Sequence, residues 1–241
     1  ENKTPVSSVR HIIPKNSVYN HHERWSFSDG ILYFKYETTE IWWKMPENYS
    51  FVDAHPDLFK LAEFVLLSPL EPEILEGWIP SRKSGYRPGL AFSAGLDSTA
   101  AMELLPEQTV LLYHKRAGFE SKLDHSNALR FIHKLDDEHN KKVIVVESNH
   151  EIIRTLHENK SPGFITDYAC AVHVILLADC FSLDSIATGM PLENSYLWHG
   201  QKFRRFEETW FWKKHAPLFE SVGLPNLQPV LGCSEIINQR R

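Results

Sequence analysis

The sequence predicts an α/β fold: a parallel-sheet domain over residues 89–241, preceded by a small β-rich module over residues 1–88. Three observations carry this expectation. From residue 89 onward, short apolar runs alternate with helical patterns, as strand–helix–strand crossovers require. Before residue 46 the apolar runs follow one another through tight turns, as in an antiparallel meander. Between the two, residues 80–88 (Pro-Ser-Arg-Lys-Ser-Gly-Tyr-Arg-Pro) have the composition of a linker.

Residues 1–24 are polar and carry Pro5 and Pro14, which reads as a loosely structured lead. The His21-His22 pair reads as solvated, because adjacent side chains rarely point at one metal ion. Trp25-Ser26-Phe27-Ser28 alternates apolar and polar, and Asp29-Gly30 is a short hairpin signal. Strand patterns follow over Ile31–Tyr36, Thr38–Glu40 and Ile41–Met45, closed by Pro46. Asp57–Leu67 reads as a helix, with Leu58, Leu61, Ala62, Val65 and Leu66 on one face, Pro56 in its first turn and Pro69 beyond its end. A second short helix is expected over Pro72–Gly77. Arg82, Lys83 and Arg87 read as solvated linker charge, with contact to nucleotide phosphates as the sharper alternative.

Gly89–Phe92 is an apolar strand that enters the polar turn Ser93–Thr99. Ala100–Leu105 is helix-forming and is stopped by Pro106. Strands are expected at Thr109–Tyr113, Lys142–Glu147 and Asp184–Gly189. Helices are expected at Ser126–His139, Ile152–His157, Thr166–Phe181 and Phe203–Ser221, the last carrying Trp210, Phe211 and Trp212. No internal repeat or low-complexity segment interrupts this order.

With 241 residues, 42% hydrophobic and 24% charged, the chain has ample material for a core. A net charge of −5 argues against a broad nucleic-acid footprint, a local basic patch aside. Seven Trp and fourteen Phe imply aromatic packing in a core, a pocket or a partner surface. Three cysteines without a Cys-x-x-Cys pair fit a reducing, cytoplasmic setting. No apolar run reaches the roughly 18 residues of a membrane span, and no basic-then-apolar leader opens the chain. The sequence lacks an initial Met and ends on Gln239-Arg240-Arg241, as a partial or trimmed chain would.

Ser93–Thr99 is where chemistry is expected. A strand, a turn of small residues and a helix start together build a phosphate cradle, because free N–H groups and the helix dipole attract anions. Ser93, Ser98 and Thr99 add hydroxyls, and Gly95 permits a close backbone approach. Asp97 is an acid in an anion site, which makes sense if it holds Mg²⁺ against the phosphates. No Gly-Lys-Ser/Thr follows, so this is not a Walker-type loop. The plain alternative is a strand–turn–helix with Asp97 or Ser98 as N-cap. In open α/β sheets ligands sit beyond the carboxyl ends of the strands, which adds the loops Tyr113–Arg116 and Gly189–Ser195. His114, Lys115 and Arg116 are candidates for phosphate or substrate contacts, or else a solvated loop; Cys170, Cys180 and His173 read as packed residues.

The turn resembles the PP-loop of the N-type ATP pyrophosphatases, whose pattern is Ser-Gly-Gly-x-Asp-Ser-Ser/Thr. Ser93, Gly95, Asp97, Ser98 and Thr99 match, and Ala94 replaces the first glycine. Thr188-Gly189-Met190-Pro191-Leu192-Glu193-Asn194 resembles the late loop of the cyano-deazaguanine synthase branch, with Asn194 where that branch has Asp. Ser161-Pro162-Gly163 resembles that branch's Pro-Gly-Arg-Asn entry, with Phe164 and Ile165 in place of Arg and Asn. Gln228–Ile237 is similar to its Pro-Leu-x-x-x-Ser-Lys-x-Glu-Ile segment, and the chain stops before that branch's zinc knot. A looser resemblance links Glu193-Asn194-Ser195, His199 and Gln201 to the muramoyl-dipeptide glutamate epimerases.

The resemblance implies a Rossmann-like, adenine nucleotide α-hydrolase-like domain that uses ATP and Mg²⁺ to adenylate a carboxylate or carbonyl and release pyrophosphate. It assigns Ser93, Ala94, Gly95, Leu96, Asp97, Ser98 and Thr99 to the nucleotide, with Tyr113 and Gly189 beside it. It makes Asp97 and Ser98 catalytic, Asp97 the metal contact, and Glu193 and Asn194 the substrate side. The implied partners are ATP and a small-molecule or peptide carboxylate, with a protein partner through residues 1–88. The rivals are the epimerase-type enzyme and a degenerate nucleotide-binding scaffold or defence-system component.

Overall fold

Alternation of apolar residues along the central strands feeds two cores, one on each face of a sheet. The computed structural model describes residues 19–71, 73–117, 124–158, 161–198 and 202–239. The strands β1 (Tyr19–His22), β2 (Trp25–Ser28), β3 (Ile31–Tyr36) and β4 (Thr39–Lys44) form an antiparallel meander, which the period-2 pattern predicts from Trp25 onward. Asp29 and Gly30 both take positive φ, 50° and 78°, as the tight primed hairpin requires.

Helix α1 (Pro56–Leu67) leads through the linker to β5 (Arg87–Phe92), α2 (Leu96–Leu104), β6 (Val110–Arg116), α3 (Ser126–His139) and β7 (Val143–Ser148). Then come α4 (Ile152–Glu158), α5 (Val172–Leu176), β8 (Leu183–Thr188), α6 (Leu192–Ser195), β9 (Leu197–Trp198), β10 (Lys202–Phe203), α7 (Trp210–Ser221), β11 (Asn226–Leu227) and α8 (Glu235–Asn238). The main sheet has the order β1-β2-β3-β4-β7-β6-β5-β8-β11. Its β7-β6-β5-β8-β11 part is parallel, and β4 joins β7 antiparallel through Trp43↔Ser148 and Lys44↔Glu147. The fold is α/β, a mostly parallel sheet with flanking helices and a strand-rich N-terminal segment.

On one face, Trp25, Phe34, Ile41 and Trp43 of the meander pack with α1 and with Val172, Ile175 and Leu183. On the other, Leu90, Phe92, Leu111 and Tyr113 pack with Ala101 and Met102 of α2 and with Ile132 and Leu135 of α3. The segments on either side of residue 88 therefore share one sheet and one core.

Helix α1 lies so deep that two of its acids are buried, and both are hydrogen-bonded. Glu63 accepts from Trp25 Nε1 at 2.6 Å. Asp57 accepts from Trp78 Nε1 at 2.8 Å, Ser81 N at 2.6 Å and Arg82 N at 2.8 Å. Burial alone would raise the Asp57 pKa; these donors outweigh it and hold the carboxyl below its usual range.

Several expectations are corrected. Arg82 is neither solvated nor a phosphate contact: its side chain is 2% exposed, pairs with Asp179 at 2.8 Å, and donates to Val222 O and Leu183 O. Arg87 donates to Phe181 O. Residues 73–77 form turns where a helix was expected, and Pro72 lies outside the described residues. The apolar stretch 166–181 is a 3-10 turn, Ala169–Ala171, followed by the short α5, because packing of Tyr168 on Phe219 and His215 overrides helical propensity. The stretch 203–221 holds a 3-10 turn, Phe206–Glu208, and becomes α-helical only at Trp210, where Thr209 Oγ1 caps Trp212 N at 3.2 Å. Residues 19–22, expected in a loose lead, are β1; residues 1–18 lie outside the described residues. No described helix is long and apolar enough to cross a membrane.

Candidate nucleotide site

From β5 the chain steps to β6 and β7 on one side, then returns to place β8 on the other. The strand order thus reverses at β5, and a crevice opens at the carboxyl ends of β5 and β8, the usual ligand position in such sheets. A cavity of about 920 Å³ occupies that crevice. Ser93, Ser98, Tyr113, Gly189, Glu193 and Asn194 line it; Ala94, Gly95, Leu96, Asp97 and Thr99 do not.

The turn after β5 is the first turn of α2, so the helix begins four residues before its apolar pattern does. Gly95 is the N-cap, and the first helical bond runs from Thr99 N to Gly95 O at 3.0 Å. The N–H groups of Leu96, Asp97 and Ser98 precede it and have no intrahelical acceptor. Ala94 takes φ 57°, the left-handed region, despite its Cβ. Ser98 is buried and braces the loop: its Oγ accepts from Ser93 N at 3.2 Å and Ser93 Oγ at 3.0 Å, and donates to Gly95 O at 3.0 Å. Thr99 Oγ1 also donates to Gly95 O, at 2.8 Å. Gly189 meets this turn from β8, where a Cβ would lie 2.6 Å from Ser98 N and 2.8 Å from Asp97 C. Only glycine permits so close a backbone approach.

Asp97 Oδ1 accepts from Asn238 Nδ2 at 2.8 Å, a contact that α8 brings from the far end of the chain. Its Oδ2 has no protein partner among the described residues. Mg²⁺ bound with a nucleotide keeps waters and phosphate oxygens and takes one or two carboxylates, so one free carboxylate oxygen beside the cradle fits it. No cluster of three or more His, Cys, Asp or Glu with metal-binding geometry occurs among the described residues.

Beyond the cradle the cavity wall is aromatic and imidazole-rich. Tyr113 OH pairs with His125 Nδ1 at 2.5 Å, while Arg116 N donates to His125 Nε2 at 3.3 Å. Burial, then Arg116 and Lys115, push the His125 pKa down. His114, Phe164 and His173 also line the cavity. His150 stacks on His114 with centroids 4.3 Å apart, and Arg116 pairs with the buried Glu151 behind them. Lys115 turns away to Glu147 at 3.1 Å. Glu193 and Asn194 enter from α6, whose end Arg204 holds through Asn194 O and Ser195 O, each at 2.8 Å. Cys170 lines the cavity, yet burial pushes its thiol up to about 12, so it stays protonated. His125, His150, Glu151 and Asn238 escape sequence reasoning, because no local spacing marks residues that meet only in the fold.

No protein-family model and no curated protein matches the chain. Among solved structures it is similar to the U34-tRNA thiolase NcsA from Methanococcus maripaludis with its 4Fe-4S cluster, at 14% identity and a TM-score of 0.40. The match covers 77% of this chain and 61% of that one, so it spans less than two thirds of the thiolase. A likeness at that level fixes neither ligand nor reaction.

Proposed function

We propose that the chain is an ATP-dependent adenylating enzyme of the PP-loop ATP pyrophosphatase type. The observation that carries this reading is the Ser93–Thr99 turn itself: a helix start whose first N–H groups have no intrahelical acceptor, with Ser93 and Ser98 on the cavity wall at the point where the strand order reverses. A carboxylate or carbonyl oxygen of the substrate attacks the α-phosphorus of ATP; the new O–P bond forms as the bond to pyrophosphate breaks. The N–H groups of Leu96, Asp97 and Ser98 hold the charge that builds on the leaving pyrophosphate. Ser98 keeps that turn in shape through Ser93 and Gly95. Mg²⁺, when bound, neutralises phosphate oxygens. Asp97 Oδ2 would hold it, with Asn238 fixing the carboxylate through Oδ1.

In the finer form of the proposal the adenylate is consumed by ligation or amidation, as in the cyano-deazaguanine synthase branch. Its support is that Glu193 and Asn194 line the same cavity as Ser93 and Ser98. A nucleotide-binding scaffold is the second reading, favoured by the left-handed Ala94. His199 and Gln201, on which the epimerase likeness leaned, lie outside the described residues.

The test is pyrophosphate release from ATP and Mg²⁺ across a panel of carboxylates. Release is expected with some of them, and Asp97→Ala abolishes it while leaving the fold intact by circular dichroism. Undiminished turnover in that variant sinks the role of Asp97. Tight ATP binding with no release on any substrate favours the scaffold.

A further inference from the structure

One wall of the cavity comes from the segment that precedes α5: Phe164, Thr166, Asp167 and Cys170 all line it. Packing fixes this segment. Thr166 Oγ1 donates to Val65 O at 2.8 Å, and Tyr168 and Ala169 are buried. Asp167, between them, is exposed. Among the described residues its carboxylate accepts no hydrogen bond and forms no ion pair, so it does not hold its own turn. The surrounding protein still pushes its carboxyl up, as a concave wall does, and Arg204, which lines the same cavity, pulls it back down. Both arginines of the wall are otherwise engaged: Arg204 donates to Asn194 O and Ser195 O, and Arg116 pairs with Glu151. Glu193 adds a second acid to the cavity.

We propose that Asp167 holds a positively charged amine of the ligand that shares this cavity with ATP. An ionised carboxylate only accepts, so the group that meets it must donate. A neutral hydroxyl would leave the charge standing against a partly desolvated wall; an ammonium brings donors and the opposite charge together. Phe164, Met190 and Leu197 line the same cavity and offer apolar surface to the carbon body beside the amine. Ser93 and Ser98 reach the cavity from a different segment, so the amine is a handle apart from the oxygen that attacks ATP. The inference deepens the proposed function and rests on it only for naming that ligand the co-substrate.

The experiment is ¹³C spectroscopy of the full chain carrying ¹³Cγ-aspartate, titrated with benzylamine, benzyl alcohol and adenosine. Asp167→Asn keeps the shape of the side chain, removes its charge and identifies the Asp167 signal. Benzylamine is expected to move that signal and to bind about tenfold more tightly than benzyl alcohol, the low end for a charge-assisted bond because Asp167 is exposed. In Asp167→Asn the two probes bind alike, and in Asp167→Glu the preference survives. Should Asp167→Asn misfold, Asp167→Glu supplies the assignment and the wild-type titration carries the test. Equal binding of the two probes to the wild type overturns the inference. So does a preference for benzylamine that persists in Asp167→Asn, which would place the amine on other acids. Adenosine weakened by Asp167→Asn with benzylamine untouched also overturns it, since the carboxylate would then read ribose hydroxyls. None of these probes carries a triphosphate, so failure of pyrophosphate release sinks the adenylating reading and leaves the amine site standing.

Discussion

Ala94 stands where the PP-loop pattern has glycine, and its backbone does what glycine would do, at φ 57°. For a residue with a Cβ the left-handed region costs about 1–2 kcal/mol, part of which glycine would give back as freedom in the unfolded chain. Ala94→Gly is therefore expected to raise stability by about 1 kcal/mol in urea unfolding; a loss of stability would mean that the Cβ packs favourably. The replacement could be named from sequence because the cradle's bonds are local, Ser93 to Ser98 and Gly95 to Thr99. The brace on Asp97 could not, since Asn238 lies 141 residues away. His150 and Glu151 were illegible for the same reason: they meet His114 and Arg116 only when β6 and β7 pair.

At the scale of elements, the linker behaves as a clamp. Arg82 ties residue 82 to Asp179, Leu183 and Val222, while Asp57 holds the same stretch by its backbone. Removing one partner of a buried pair leaves the other charge uncompensated, at a cost of about 3–5 kcal/mol. Asp179 keeps some access to water, so the lower end applies: Arg82→Met is expected to lose about 3 kcal/mol in equilibrium denaturation. An unchanged midpoint would return Arg82 to the role of solvated charge. Composition marked residues 80–88 as a linker because Pro, Ser and Gly govern local conformation, but it carries no trace of the distant acid that buries the arginine. The meander was legible because its turn and its alternation are local properties. The broken helix after Thr166 was not, because Tyr168 answers to α7 instead of to its own neighbours.

At the scale of the whole molecule, one sheet joins the meander to the parallel strands, and the histidine stack lies where they meet, with His150 against Trp43 of β4. Burial pushes His173 down to about 4 and His150 to about 3, and holds His114 well below its ordinary 6.5. The unfolded chain then binds more protons than the folded one below pH 6.5, so the stability from these rings is complete above that value and is lost as pH falls toward their folded pKa values. Each ring contributes up to about 1.4 kcal/mol per pH unit. Glu151, whose carboxyl burial raises, acts in the opposite direction near the carboxylate range. Denaturation is expected to show stability falling by more than one proton's worth between about pH 6.5 and pH 5, and a flat profile there would contradict neutral buried rings. The Ser93–Thr99 turn carries the nucleotide reading, and a crystal structure with Mg²⁺ and α,β-methylene ATP examines it directly. The triphosphate should lie with its oxygens about 3 Å from the N–H groups of Leu96, Asp97 and Ser98. A nucleotide bound elsewhere, with that turn closed on its own side chains, would contradict it.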